Sequence, residues 1–496
     1  MPYDPLRSKN NRIPASVKTV HLIAACGTAM GALACMLKES GRSVTGSDEK
    51  VYPPMSTYLA ERGIPIREGF SADHLDHRPD LVVVGNAVSA NNLEVVELAK
   101  LGLPFCSMPQ AFNRFAADGK KAVVVTGTHG KTTTSAVAAW LLEWAGMDPS
   151  FVIGGILKNF GGNYRLGDGT TIVFEGDEYD TAFFDKGPKF LHYAPSVAVL
   201  TGVEFDHADI YRDLDHVTSA FHRFVSSMPR QATLVAFGDD PVVNELIRDC
   251  PCRVETYGTG DRTFWRLEDL KVDPPWTRFT AFRDGRSHGR FSTPMMGAHN
   301  ALNALSAVAV ADRMGIPASA VDDALKRFAG VRRRQEVRGE ASGVTVIDDF
   351  AHHPTAVRET LRAIRPYYPG RRLIAVFEPR THASMRKVFQ HVYPKVFDPA
   401  DLVCIREPSM LHKVPAAERF SAERLAADLQ RRGKDARYFP GTEEIIAFLV
   451  QSLRSGDVVL IMSNGGFDNI HERLLERLRG KPPDPNPHLS DGFRHP

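Results

Sequence analysis

The stretch VVVTGTHGKTTTSAVAAW, residues 123 to 140, constrains the fold more than any other part of the sequence. It starts as an apolar, β-branched run typical of a buried strand. A glycine-containing turn follows, and the chain then continues as a helix whose apolar residues Val137, Trp140, Leu141 and Trp144 recur at helical spacing. A strand that passes through glycines directly into a helix is typical of an α/β protein with a parallel sheet. We therefore predict such a sheet, with this turn at its carboxyl edge.

The turn itself, TGTHGKTTT, has the composition of an anion site. Gly127 and Gly130 allow backbone N–H groups to converge, and the positive end of the following helix points to the same place. Lys131 can then reach phosphates, and the hydroxyl of Thr132 can bind Mg²⁺. Only two residues separate the glycines, whereas the usual phosphate loop has four, so the turn is a shortened variant. The alternative is a packing turn with a surface lysine.

Two acidic clusters follow later strands and could complete a metal site. FEGDEYD comes after TIVF, and VEFDHAD comes after VAVLTG. Ligands of open α/β sheets gather beyond the carboxyl ends of the strands, where both clusters are expected. The alternative for each is a solvated acidic loop. The candidate side chains are Glu175, Asp177, Glu178, Asp180, Glu204, Asp206, His207 and Asp209.

Short apolar runs alternate with helical patterns along most of the chain, which indicates three α/β units in series. The first contains TVHLIAAC, VTGSD and DLVVVGNA; the second begins at KAVVVTG; the third begins near GVTVIDDF. We predict domains at 1–117, 118–336 and 337–480. Residues 481–496, KPPDPNPHLSDGFRHP, are rich in proline and polar residues and are predicted to be a disordered tail.

Composition excludes several classes of protein. A net charge of +2 over 496 residues gives no reason to expect nucleic-acid or anionic-membrane binding. The six cysteines are scattered without a C-x-x-C pair, which argues against zinc and favours a reducing compartment. No run of about 20 apolar residues and no signal-peptide pattern occurs. We expect a cytoplasmic protein.

A second glycine turn, CGTAMG at 26–31, follows the first strand, and Asp48 ends the next strand. This arrangement is similar to a dinucleotide fold, although the glycines do not fit G-x-G-x-x-G. On these residues alone, a bound diphosphate and a plain packing turn remain equally good interpretations.

Six motifs occur in the order found in the Mur ligase superfamily: GTHGKTTT, EGDEYD, EFDHAD, GAHNALNALSA, RRRQE and DDFAHHP. The resemblance extends from about His21 to Leu478. It implies three domains: a Rossmann-like domain that binds a UDP-sugar, a central phosphate-loop ATPase-type domain, and a Rossmann-like C-terminal domain. It also implies an enzyme that uses ATP and Mg²⁺ to join an amino acid or peptide to UDP-N-acetylmuramate through an acyl phosphate.

Site residues are carried over from the resemblance position by position. The implied metal ligands are Thr132, Glu178 and His207. Gly27, Thr28, Met30, Gly31 and Asp48 would cradle UDP. The implied ATP-binding residues are Gly127, Thr128, His129, Gly130, Lys131, Thr132, Thr133, Asn300, Asn303, Arg334 and Asp349.

Catalysis needs Lys131 at the phosphates and a base for the incoming ammonium, for which His207 and His352 are the candidates. Glu378, Arg380 and Asn464 of the third domain are candidates for peptide binding. CGTAMGALA, SDEKVYPPMS, EYDTAFFDK and MSNGGFDNIH resemble the branch that attaches the recycled murein tripeptide L-alanyl-γ-D-glutamyl-meso-diaminopimelate. The branch that adds free L-alanine is the nearest alternative. We expect a monomer or weak homodimer.

One departure from the superfamily concerns a second metal. Several members carry a carbamylated lysine after the DH motif, but no lysine lies between Asp206 and Arg230, and His222 falls near that position. More distant alternatives are a folate-polyglutamating ligase, a nucleotide-dependent switch and an NAD-linked dehydrogenase. None of them explains both the N-terminal UDP-type unit and the phosphate loop.

Overall fold

The computed structural model describes Leu6 and residues 8–51 and 55–480. Three sheets follow one another along the described chain, as the alternating pattern predicts. The α/β class and the order of the three units are confirmed. The predicted tail at 481–496 lies outside the described residues, and the exact domain limits at 117 and 336 stay predictions.

The first sheet is parallel throughout and has the strand order β3-β2-β1-β4-β5. This order reverses direction between β1 and β4, as in Rossmann-like sheets. Its strands are β1 Thr19–Ile23, β2 Ser43–Asp48, β3 Ile66–Glu68, β4 Leu81–Val84 and β5 Phe105–Ser107. Its helices are α1 Thr28–Glu39, α2 Met55–Glu61, α3 Leu93–Leu101 and α4 Met108–Phe115.

The second sheet has ten strands and carries the phosphate loop. Its strands are β6 Lys121–Thr126, β7 Ser150–Leu157, β8 Gly162–Arg165, β9 Thr171–Glu175, β12 Pro195–Leu200, β13 Thr233–Phe237, β14 Arg253–Gly258, β15 Trp265–Asp273, β16 Trp276–Arg283 and β17 Arg286–Thr293. The order is β17-β16-β15-β14-β13-β12-β6-β9-β7-β8. A separate hairpin pairs β10 Asp180–Ala182 with β11 Asp185–Pro188. The helices are α5 Lys131–Trp144, α6 Leu214–Ser226, α7 Pro241–Leu246, α8 Ala298–Arg313 and α9 Ala318–Lys326.

The third sheet has the order β18-β19-β23-β20-β21-β22 and is parallel except for its edge strand β18. The strands are β18 Glu336–Ala341, β19 Val344–Asp349, β20 Leu373–Phe377, β21 Leu402–Arg406, β22 Asp435–Phe439 and β23 Val458–Met462. The helices are α10 Pro354–Tyr367, α11 Ala422–Arg431, α12 Thr442–Ser452 and α13 Ile470–Arg479.

Local sequence explains where several helices begin. The side chains of Asn92, Asp213, Asp240 and Ser421 accept backbone N–H groups of the first turns of α3, α6, α7 and α11. Proline stands at the first position of α7 and α10, where its missing N–H costs nothing.

The position of β6 between β12 and β9 determines where the phosphate loop and the two acidic clusters meet. The two neighbours lie on opposite sides of β6, and all three strands are parallel. Their carboxyl ends therefore open at one edge, where the loop before α5 meets both acidic clusters. This is the topological switch point at which open α/β sheets bind ligands.

Apolar side chains fill both faces of each sheet. One cluster is continuous from the first sheet to one face of the second, and Phe112 meets Phe174 across that junction at a ring distance of 6.3 Å. Along α5, Val137 and Leu141 are buried as predicted, whereas Trp144 is 40% exposed. Within the described ranges, no helix has the length and apolar character needed to cross a membrane.

Candidate active site

The phosphate loop depends on its two glycines. Gly127 has φ 128° and Gly130 has φ 79°, a region that favours glycine. A Cβ on Gly130 would lie 2.5 Å from Oδ1 of Asn303, and one on Gly127 would collide with Thr201. The loop is joined to the end of β12, because the N–H of Thr128 donates to the carbonyl of Gly202 at 2.9 Å.

Lys131, Glu178 and His207 form one charged group at this loop. Nζ of Lys131 lies 2.8 Å from Oε2 of Glu178 and also donates to the Gly127 carbonyl at 2.7 Å. Nε2 of His207 lies 2.8 Å from Oε1 of Glu178. Burial alone would raise the pKa of Glu178, but Lys131 and His207 outweigh burial and lower it. The carboxyl group is therefore ionised, and its charge is available to a cation.

Thr132 contacts Glu175, an acidic residue to which the motifs assign no individual role. Its hydroxyl donates to Oε1 of Glu175 at 2.8 Å, and Oε2 of Glu175 accepts the N–H of Gly154 at 2.7 Å. Nη2 of Arg334 donates to the same hydroxyl at 3.2 Å. The structure thus places Arg334, which precedes β18, at the phosphate loop, and its contact with phosphates stays a prediction.

Asn300, Asn303 and Asp349 lie together behind the loop. Nδ2 of Asn303 donates to Oδ1 of Asn300 at 3.1 Å, and Nδ2 of Asn300 donates to the side chain of Gln335 at 2.9 Å. The carboxylate of Asp349 accepts the N–H groups of Gln335 and Ala351, each at 2.8 Å. These contacts join α8 of the second unit to β19 of the third.

His352 faces Asp206 at the end of β19. Its Nδ1 is 3.1 Å from the carbonyl of Phe350, and its Nε2 is 3.8 Å from Oδ2 of Asp206. A carbonyl only accepts hydrogen bonds, so Nδ1 carries a proton, and in the neutral ring the lone pair is then on Nε2. That nitrogen is buried without a hydrogen-bond partner among the described residues.

A cavity of about 1090 Å³ lies between the second and third units and collects most of the predicted nucleotide site. Its polar walls come from the phosphate loop, the ends of β9 and β12, the start of α8 and the loop after β19. The predicted residues on its lining are Thr128, His129, Gly130, Lys131, Thr132, Thr133, His207, Asn300, Asn303, Arg334, Asp349 and His352.

The predicted UDP residues lie elsewhere, at the turn between β1 and α1. Oδ2 of Asp48 accepts the N–H of Cys26 at 2.8 Å, so this carboxylate holds the turn. Met30 is buried in the core, and a Cβ on Gly31 would meet the sulfur of Met55 at 2.5 Å. Gly27 precedes the helix and Thr28 is its first residue, so the positive end of α1 is the part of this turn that suits an anion.

The predicted peptide residues lie off the cavity lining. Glu378 is fully buried, and its carboxylate accepts hydrogen bonds from Arg406 and Ser463, both at 2.6 Å. Arg380 is half-buried, with Nη1 3.9 Å from Glu378. Oδ1 of Asn464 is buried and has no hydrogen-bond partner within the described chain. Peptide contact by these residues stays a prediction, and Glu378 already has an internal role.

His222, which falls near the position of the missing lysine, pairs with Asp249 at 3.0 Å and does not line the cavity. Sequence reasoning also missed two contacts across the domain joint. Oγ1 of Thr355 donates to Oε2 of Glu204 at 2.7 Å, and Nη2 of Arg333 donates to the carbonyls of Ser463 and Gly465 at 2.6 Å each. The run of arginines at 332–334 could have indicated the contact of Arg333, whereas nothing in the sequence marks Thr355 as a contact residue.

A phosphate loop at the switch point of an α/β sheet, facing a third unit across a large cavity with charged and polar groups on its lining, defines a multidomain nucleotide-dependent enzyme. Family models agree with this class. The Mur ligase catalytic domain matches residues 19–120, the Mur ligase middle domain matches 125–311, and the Mur ligase glutamate ligase domain matches 333–465. The chain belongs to the Mur ligase family, whose members are ATP-dependent ligases that form amide bonds.

Over nearly its whole length, the chain is similar to ligases of two kinds, both of which act on UDP-N-acetylmuramate according to their names. The chain is 38% identical to UDP-N-acetylmuramate–L-alanyl-γ-D-glutamyl-meso-2,6-diaminoheptandioate ligase of Escherichia coli strain K12, over 93% of this chain and 98% of that protein. It is 36% identical to UDP-N-acetylmuramate–L-alanine ligase of Myxococcus xanthus strain DK1622, over 95% and 98%. The crystal structure of a murein peptide ligase from Psychrobacter arcticus 273-4 superposes with TM-score 0.69 at 33% identity, covering 94% of this chain and 99% of that one.

Proposed function

We propose that this enzyme joins the tripeptide L-alanyl-γ-D-glutamyl-meso-diaminopimelate to UDP-N-acetylmuramate at the expense of ATP, in the recycling of murein. The observation that carries the ligase chemistry is the cavity, whose lining includes Lys131 of the second unit and His352 of the third. The choice of tripeptide is supported by the similarity to the Escherichia coli relative and to the Psychrobacter structure.

The reaction requires an activated carboxyl group, because an amine does not displace hydroxide from a carboxylate in water. Transfer of the γ-phosphoryl group of ATP to the lactyl carboxylate gives an acyl phosphate, and the amine of the peptide then displaces phosphate. Lys131 and the N–H groups of residues 129–132, at the start of α5, would stabilise charge on the moving phosphoryl group.

Mg²⁺ suits the residues that the family motif assigns to it. The carboxylate of Glu178 is buried and ionised, and its partner in this structure is the ammonium group of Lys131, so the position already accommodates a cation. When bound, Mg²⁺ neutralises phosphate charge. The hydroxyl of Thr132 and the ring of His207 are the other proposed ligands, and Lys131 is then free to face the phosphates.

Proton transfer is the step for which the geometry separates the two candidate bases. His207 is bonded to Glu178 through Nε2 and is a proposed Mg²⁺ ligand, so its ring is already engaged and is not free to take a proton from the amine. His352 has a free lone pair on Nε2 and the Asp206 carboxylate 3.8 Å away to stabilise the imidazolium. We therefore propose His352 as the acceptor of the ammonium proton.

The remaining assignments follow the three units. The helix start at Gly27 and Thr28 is proposed to bind UDP, Asn300 and Asn303 the adenine, and Asp349 the ribose. Both nucleotide substrates belong to the cytoplasm, which is the proposed location. We keep the expectation of a monomer or weak homodimer, with no nucleic-acid or membrane partner.

Phosphate release from ATP tests the proposal. Reactions contain UDP-N-acetylmuramate and either the tripeptide or free L-alanine at equal concentration. Strong stimulation by tripeptide with little by alanine is the expected result. The reverse result would identify the L-alanine-adding ligase of peptidoglycan biosynthesis, which the similarity to the Myxococcus relative favours as the second candidate. Stimulation by neither amine would contradict both.

A further inference from the structure

Three side chains lie close together at the domain joint, and the mechanism proposed above gives none of these side chains a chemical step; His129 enters it only as part of the phosphate loop. His129 belongs to the phosphate loop, Glu204 follows β12, and His353 precedes α10 of the third unit. One potential ligand atom from each lies within 4.8 Å of the other two. We propose that His129, Glu204 and His353 form a metal site for a borderline divalent ion such as Zn²⁺ or Co²⁺, separate from the Glu178–His207 pair.

The distances fit a small, tightly coordinated ion. Zinc binds nitrogen and oxygen ligands at about 2.0–2.2 Å, so two ligand atoms at tetrahedral positions are about 3.4 Å apart. Oε2 of Glu204 is 3.5 Å from Nε2 of His129 and 3.6 Å from Nδ1 of His353. Both separations are too long for strong hydrogen bonds and close to the edge of such a tetrahedron. The two imidazole nitrogens lie within 4.8 Å of each other.

The nitrogen of His353 that lies near Glu204 is Nδ1, which is the nitrogen with the lone pair that a metal ion needs. Its Nε2 lies 3.1 Å from the carbonyl of Phe205, which can only accept, so Nε2 carries the proton and the lone pair is on Nδ1. A ligating histidine normally donates its other nitrogen to a carbonyl or carboxylate in this way. The N–H of Thr355 reaches Nδ1 at 3.3 Å, and an ion would replace this long contact.

The charge and access of the cluster also suit a cation. Burial and the neighbouring ring of His129 hold the pKa of His353 well below its usual range, so its imidazole is neutral. Glu204 supplies one negative charge, and its side chain is 42% exposed towards the cavity. His353 is 5% exposed. An ion could therefore enter from the cavity and bind against a fixed ring.

The donor set selects the kind of ion. Two imidazoles and one carboxylate favour zinc, cobalt or iron, whereas Mg²⁺ prefers oxygen ligands and water. Because the ligands come from both sides of the domain joint, a bound ion would hold the third unit against the phosphate loop.

The test uses the full-length protein, stripped of metal by chelation and titrated with Co²⁺ in excess Mg²⁺. We expect one Co²⁺ per chain with the strong visible absorption of four- or five-coordinate cobalt. His353→Gln and Glu204→Gln should each weaken this binding more than about tenfold, since loss of even an outer contact of a metal ligand costs 10- to 100-fold. Thermal unfolding should show a Co²⁺-dependent rise in Tm for the wild type but not for His353→Gln or Glu204→Gln.

Two matched variants locate the ion. His352→Gln changes the adjacent histidine, which faces Asp206, and Glu178→Gln changes the proposed Mg²⁺ ligand; both should retain the cobalt spectrum. Loss of the spectrum in Glu178→Gln but not in His353→Gln would place the ion at the nucleotide's metal site and overturn the proposal. Unchanged binding in His353→Gln and Glu204→Gln, or no binding at all, would overturn it too. The titration contains no substrate, so its outcome is independent of the ligation assay.

Discussion

Lys131 makes contacts within the phosphate loop and with the acidic segment that follows β9. Its ammonium group bridges the Gly127 carbonyl and the Glu178 carboxylate, and its side chain is largely buried. Both partners lie at the carboxyl edge of the sheet, so the charge is already at the phosphate site before a nucleotide arrives. A preformed charge of this kind stabilises the transition state without reorganisation.

Lys131→Ala should lower kcat for tripeptide-dependent phosphate release by at least about 100-fold, the loss typical of removing one transition-state donor. Lys186, on the β10–β11 hairpin, is 69% exposed and pairs with Asp180, so Lys186→Ala is the matched control and should stay near wild-type rates. Near-normal turnover of Lys131→Ala at saturating ATP would contradict the assignment.

His353 predicts how stability depends on pH. Its pKa is lowered by burial, so between pH 6.5 and 5 the unfolded chain binds protons that the folded ring does not. The free energy of unfolding should therefore fall as the pH drops through this window, by at most about 1.4 kcal/mol per pH unit from this residue.

The contribution of His353 can be isolated by measuring denaturant unfolding of wild type and His353→Gln at pH 6.5 and 5.0. Carboxylates with lowered pKa values, such as Glu204, titrate below this window, and His207, whose pKa is raised, titrates above it. An equal loss of stability in both proteins would show that His353 does not carry the effect.

At the scale of elements, α5 begins where a glycine allows close packing. Gly130 has φ 79°, and α8 approaches so closely that a Cβ would meet the amide of Asn303. The same helix is followed by Gly146, which has φ 71° and open space around it. Both glycines have a positive φ, and they differ in that only Gly130 is closely packed against a neighbouring side chain.

Gly146→Ala should cost about 1–2 kcal/mol, the penalty for an alanine in the left-handed region. Gly130→Ala should cost more, and it should also raise KM for ATP because Asn303 must move. Denaturant unfolding and ATP kinetics on both variants check this. Equal stability losses with unchanged KM would show that the close approach to Asn303 has no consequence.

For the whole molecule, several contacts hold the joint between the second and third units, and those of Arg333 are among them. Arg333 reaches from the segment before β18 to the carbonyls of Ser463 and Gly465, beyond β23. Its guanidinium also lies 5.2 Å from the ring of Phe350. These contacts fix the third unit in the orientation that closes the cavity.

Arg333→Ala should loosen the third unit while each sheet stays folded. Without ligands, we expect faster amide hydrogen exchange at residues 463–466 and a larger radius of gyration by X-ray scattering than in wild type. The adjacent Arg332 is exposed, so Arg332→Ala is the control for loss of charge. Identical scattering and exchange in Arg333→Ala and Arg332→Ala would refute this role.

The sequence alone determined the α/β class, the three serial units and the phosphate loop with its acidic neighbours. These features are local: a strand, a turn and a helix each depend on a period of apolar residues and on glycines at fixed positions. The motifs around Asn300, Arg334 and Asp349 were recognised only through their resemblance to the Mur ligase superfamily, and the roles that this resemblance implies stay predictions.

Only the tertiary structure decided which side chains face one another. Glu175 and Glu178 lie in one acidic run, yet one bonds Thr132 and the other bonds Lys131 and His207. Glu378 is buried against Arg406, and His129, Glu204 and His353 meet although they are far apart in the chain. The physical reason is that these contacts depend on how β6, β12 and β19 are brought together. The periodic pattern of apolar residues reports only local structure and does not indicate that arrangement.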